Sequence, residues 1–179
     1  MRVRTDLDVA GATAIIDGVV GTTVSLSADS TKTISSSLVA GVRYKIIFAL
    51  TQNTTQGYIY LRCNNDSGNN YGYGQNYWGN SGEAVGGALA QSLWLFAHSN
   101  PHLIKAGELL LAEMFIYSHP SSTITMMQLK CGYVLYDPAN YTCGCLVSGY
   151  YDGASDLNRL DITTSAGTMT GTVKIFTLN

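Results

Sequence analysis

Apolar and polar residues alternate with a period of two along most of this chain. Val42, Tyr44, Ile46, Phe48 and Leu50 share one face, with Arg43 and Lys45 on the other. That is the signature of a half-buried strand. Tyr58 to Cys63 follows after a polar cluster, so the two segments are expected to pair as an antiparallel hairpin with a long turn. Upstream, Thr23 to Ser27 alternates over a short stretch, and a weaker strand is expected around Thr13 to Val20. Residues 1–38 are rich in Thr, Ser, Gly, Ala and Val, and read either as an N-terminal arm with the first short strands or as a frayed terminus.

The second half continues the pattern. Ala88 to His98 is an apolar run of mixed period whose aromatics favour strand over helix. Glu108 to Ser118 has a helix-like composition, yet Leu110, Ala112, Met114 and Ile116 alternate cleanly. Ile124 to Tyr136 places Met127, Leu129, Cys131, Tyr133 and Leu135 on one face. After the turn Asp137–Pro138–Ala139–Asn140 come Thr142 to Tyr151, Leu157 to Thr163 and Thr170 to Leu178, separated by Gly- and Ser-containing turns. Short strands at regular spacing with almost no helix period predict an all-β domain, a two-sheet antiparallel sandwich of jelly-roll type. Residues 39–179 are expected to form that sandwich.

The stretch Gly57 to Gly82 stands apart. From Asn64 it becomes a long polar segment of Asn, Gly, Ser and Tyr ending near Trp78. Read as a displayed loop, it offers Tyr71, Tyr73, Tyr77 and Trp78 as aromatic faces for a protein partner or a surface glycan. The alternative is an ordered loop whose aromatics pack back on their own sheet. Asn64, Asn65, Asp66 and Asn69 bring oxygen ligands, but one carboxylate makes a poor calcium site.

Composition narrows the partners. The 179 residues are 46% apolar and only 12% charged, with a net charge of −2. So few charges leave a neutral polar surface, suited to large contacts with proteins or sugars and to oligomers. Without a basic cluster the chain has no means of neutralising phosphates, which argues against nucleic acid. No apolar run reaches the ~18 residues of a membrane helix, and Asp6, Asp8 and Asp17 break any signal-peptide core. Synthesis and folding in a cytoplasm are the expectation. The four cysteines are then expected to stay as thiols filling the core. A zinc site from Cys131, Cys143 and Cys145 is conceivable, but it lacks the usual paired spacing.

Catalytic patterns are missing. The chain has no Gly-x-Ser-x-Gly elbow, no His-Glu-x-x-His and no phosphate-cradling Gly-Lys-Ser/Thr loop. His98, His102 and His119 fall at strand ends or turns. Glu108 and Glu113 would face opposite sides of one strand, which does not make a glycosidase pair. No enzyme activity and no cofactor are expected.

Two passages carry a resemblance. Tyr60 to Tyr71 (YLRCNNDSGNNY) resembles passages in small virion proteins of tailed bacteriophages, in which a strand ending in Arg-x-Asn runs into an Asp-Ser/Thr-Gly-x-Asn-Tyr turn. Ile162 to Phe176 (ITTSAGTMTGTVKIF) looks like their closing hairpin. The chain has Phe176–Thr177–Leu178 where a Tyr-Gly ending is common, and Tyr77 and Trp78 are its own. The resemblance implies a β-sandwich serving on the virion. Most directly it implies a capsid decoration (cement) protein, commonly a homotrimer bound to the major capsid protein. A tail-fibre or receptor-binding module that binds surface carbohydrate is the alternative. The start at Met1 and the lack of a fibrous repeat favour the capsid clip.

Overall fold

The computed structural model describes residues 21–178 except 37, 55–56, 80–81, 93, 96–105, 121–122 and 136–140. The expected strand at Thr13 to Val20, His98 and His102 therefore lie outside the described residues. So do residues 1–20 of the N-terminal segment.

In the described residues twelve strands make two antiparallel sheets, and no helix occurs there. They are β1 (Gly21–Asp29), β2 (Thr31–Ser35), β3 (Arg43–Gln52), β4 (Ile59–Cys63), β5 (Tyr71–Gly79) and β6 (Gly82–Gln91). The rest are β7 (Trp94–Leu95), β8 (Leu109–Ser118), β9 (Ile124–Leu135), β10 (Tyr141–Asp152), β11 (Leu160–Thr164) and β12 (Met169–Leu178). The large sheet runs β1-β12-β3-β8-β9-β10-β5-β6 and the small one β2-β11-β4-β7. Without the hairpins β5–β6 and β9–β10, the remaining strands fall into two sets of four, β1-β12-β3-β8 and β2-β11-β4-β7. That is the jelly-roll order, a sandwich built by Greek-key connections. The two hairpins lengthen the large sheet to eight strands against the four of the small one.

This order corrects two expectations. β3 and β4 do not form a hairpin: β3 pairs with β12 and β8, whereas β4 pairs with β11 and β7 in the other sheet. Likewise β11 and β12 do not close as a hairpin, because β11 lies between β2 and β4 while β12 lies between β1 and β3. Each of these strands has an apolar face that is covered by the opposite sheet when the chain crosses over. A hairpin would leave both faces of a pair on one side of the core. β1 and β2 belong to the sandwich, one in each sheet.

The core lies between the sheets. Ile46, Phe48 and Leu50 of β3 and Leu110 and Met114 of β8 meet Ile59 and Leu61 of β4 and Leu160 and Ile162 of β11, all essentially inaccessible to water. β3 shows the alternation predicted from its sequence, with even positions buried from Tyr44 to Gln52. On the far side of the small sheet, Asp161 is buried by its partners. Arg159 Nε donates to both of its carboxylate oxygens at 3.0 and 2.9 Å, and Thr33 Oγ1 donates at 2.6 Å. This cluster fastens β2 to β11.

Candidate functional site: the open face of the large sheet

The segment read as a displayed aromatic loop is mostly strand. Among its described residues only 64–70 are loop, and β5 takes Tyr71–Gly79 into the large sheet between β10 and β6. Its side chains therefore alternate. Tyr71 and Tyr73 point inward and are buried, and Tyr77 is half-buried against the core. Trp78 points outward and is 40% exposed.

The inward tyrosines bridge the sheets where the small one runs out. The Tyr71 hydroxyl accepts a hydrogen bond from the Cys63 N–H at 2.8 Å and lies 3.1 Å from the Asp66 carbonyl, to which it donates. The Tyr71 and Tyr151 rings pack tilted at 37° to each other with centroids 4.9 Å apart. Burial pushes both phenols well above their ordinary range, so they stay protonated donors.

The short loop at residues 64–70 is a built turn. Asn64 and Asn65 both have positive φ (54° each), and the Asp66 N–H closes the turn on the Cys63 carbonyl at 2.9 Å. Asn tolerates this left-handed backbone better than other side chains. Asn64 Oδ1 accepts from the Asn158 and Arg159 N–H groups at 2.9 and 3.1 Å, tying the loop to the start of β11. Asp66 accepts from Gly68 N–H (2.7 Å), Asn70 Nδ2 (2.8 Å) and Tyr151 Oη (3.1 Å). The Asn70 and Gly68 bonds hold its carboxyl below the ordinary carboxylate value. The carboxylate thus serves the turn.

The cysteines require a further correction. Cys131 and Cys145 are not thiols but a disulfide, with Cα atoms 5.2 Å apart. They stand directly opposite each other on β9 and β10, the spacing a disulfide needs. Both sulfurs are consumed, so no zinc site forms from them, and no cluster of metal-binding side chains occurs among the described residues. Cys63 is buried and free, and desolvation pushes its thiol far up, which makes it inert. His119 is exposed in a turn, edge-on to Tyr117. Glu108 is buried whereas Glu113 faces outward, 3.0 Å from Lys45 Nζ.

What the sequence reading missed is the outer face of the large sheet. Of the exposed large apolar side chains in the described residues, all but Val39 lie on its strands. β8 contributes Leu109, Leu111 (53% exposed) and Phe115, and β9 contributes Ile124 and Met126 (55%). Ile47, Leu146, Tyr150, Trp78, Val85 and Leu89 extend the face across the sheet. Isolated exposed leucines are ordinary, but so many exposed apolar side chains gathered on one sheet face, among Lys45, Glu113, Gln128 and Lys130, mark an interaction surface. Fully covering one such side chain is worth about 1.5–3 kcal/mol.

Three aromatic side chains lie down on this face. Trp78 is directly opposite Gly144, Tyr150 opposite Gly72, and Phe176 opposite Gly21. A Cβ placed on these glycines would come within 2.6 to 2.7 Å of the facing ring. The missing side chains let each ring cover the neighbouring backbone, the aromatic rescue seen at sheet glycines. Beside Trp78, the glycine pair Gly132–Gly144 opens a shallow depression of about 620 Å³ rimmed by Ile47, Leu111, Glu113 and Lys130.

Compared with known proteins, the chain matches no protein-family model, no curated protein and no solved structure.

Proposed function

We propose that the chain is a structural virion protein of a tailed bacteriophage, a capsid decoration protein that stabilises the head, held in place by the outer face of its large sheet. The observation that carries the assembly role is that face. Among the described residues it carries eleven exposed large apolar side chains interspersed with Lys45, Glu113, Gln128 and Lys130, and its aromatics lie flat rather than lining a deep cavity. An enzyme site is concave, with convergent polar groups. A surface of this kind instead suits a second protein. The low charge of the chain fits the same role, since few charges must be desolvated on docking. The virion assignment rests on the resemblance of residues 60–71 and 162–176 to phage virion proteins.

The test uses empty capsids assembled from the major capsid protein of the encoding phage. The purified chain is expected to bind them and to raise their melting temperature. Leu111→Lys with Met126→Lys is expected to abolish both effects, because two buried, unpaired charges would oppose docking. Capsids that neither bind the native chain nor gain thermal stability would sink the proposal.

A receptor-binding module that takes surface carbohydrate is the second reading, favoured by one observation. Trp78 rests on Gly144 at the rim of a depression that also carries Glu113 and Lys130. An aromatic platform beside hydrogen-bonding groups can hold a sugar ring. A glycan array decides: a signal lost in Trp78→Ala supports this reading, and silence at high protein concentration removes it.

A further inference from the structure

The large sheet ends at β6, whose only strand partner among the described residues is β5. Its other edge presents N–H and C=O groups that can pair with another chain. Proteins normally blunt such an edge with lysine, proline or an inward charge. β6 (GEAVGGALAQ) contains neither Lys nor Pro, and its one charge, Glu83, stands near one end. Among the described residues the one protective device is a bulge at the far end, where Ala90 has φ 53°. In the middle, Gly86 and Gly87 let another backbone approach closely.

We propose that β6 is a self-pairing edge. Two copies of the chain join antiparallel through β6, about a two-fold axis perpendicular to the sheet, giving one sheet of twice eight strands. The side chains select the register. Residues directly opposite in an antiparallel pair point to the same side, so outward positions must meet outward positions. Centring the axis on Gly87 sets Val85 against Leu89 of the second copy, and by symmetry Leu89 against Val85. These are the two most exposed large apolar side chains of the described residues, at 82% and 73%. Centring it on Gly86 would instead set Leu89 against the Glu83 carboxylate and leave Val85 facing a glycine. With the axis at Gly87 the two Glu83 side chains sit at opposite ends of the pairing, roughly 27 Å apart at 3.4 Å per residue. The second copy is thus the occupant to which this edge is complementary. The pairing does not depend on the virion reading, and it gives a dimer where the resemblance implies a trimer. It also places both outer faces on the same side, doubling the apolar surface.

The test is sedimentation equilibrium on the purified full chain, with circular dichroism to check that each variant keeps its β spectrum. The native chain is expected at twice the chain mass. V85K/L89K puts like charges across both symmetry-related pairs and is expected to weaken the dimer by about tenfold or more. V85K/L89E puts opposite charges across the same pairs and is expected to restore it. A native chain that stays monomeric or forms a trimer overturns the proposal. So does equal dimerisation of the two charged variants, because a contact elsewhere or in another register would not distinguish them.

Discussion

At the scale of single residues, Asp66 shows how a polar segment can be informative about structure rather than ligand. Its carboxyl is held below the ordinary value of 3.8 by donors within its own turn. A depressed value means that the folded state favours the ionised form. The stabilisation is therefore fully present above the ordinary carboxylate value and is lost as the pH falls through the lower, folded one. Urea midpoints measured from about pH 5 down to pH 2 should decline, and Asp66→Asn should flatten part of that decline. Asp29 is shifted in the same direction and supplies a remaining slope. An unchanged acid slope in Asp66→Asn would show that the turn does not depend on the charge. The turn character of residues 64–70 was legible from Asn, Asp and Gly. The roles of Tyr71, Tyr73 and Tyr77 were legible too, since they alternate with Gly72, Gly74 and Asn76. Reading glycine and asparagine content as loop hid that period.

Among the elements, strand existence was plain wherever one face was apolar, as in β3, β8, β9 and β12. Partnership was not, because alternation says which face is buried and nothing about which strand lies alongside. The exception is the β9–β10 pair, whose register is symmetric about position 138 of the sequence. Cys131 and Cys145 are equidistant from Pro138, so pairing outward from that position places them face to face. That count can be made from the sequence alone, whereas the expectation of free thiols rests only on the compartment. Peptide mapping without reductant should recover a linked pair containing Cys131 and Cys145. Because the bond closes a loop of sequence separation 14, replacing both residues by Ala should cost up to about 3 kcal/mol of unfolding free energy. No linked peptide, or an unchanged unfolding midpoint in the double variant, would show that the bond is not part of the folded protein in solution.

For the whole molecule, the decisive feature is the imbalance between an eight-stranded sheet and a four-stranded one. A sandwich covers one face of each sheet and leaves the other to water, so outward positions should be polar. β8 breaks that rule: in LLLAEMFIYS the outward Leu109, Leu111 and Phe115 are as apolar as the inward Leu110, Met114 and Ile116. A nearly continuous apolar run is what a strand covered on both faces requires. Its composition therefore pointed to a second layer above the sheet, a signal easily mistaken for helix. The fold does not need this outer face if the layer is another molecule. Leu111→Lys with Met126→Lys should then leave the unfolding free energy of the isolated chain within about 0.5 kcal/mol of native, the range of ordinary surface changes. The same pair should lower the binding of a hydrophobic dye to the native chain. A large loss of stability would mean that the face is covered by the chain itself, and the surface proposed for assembly would not be free.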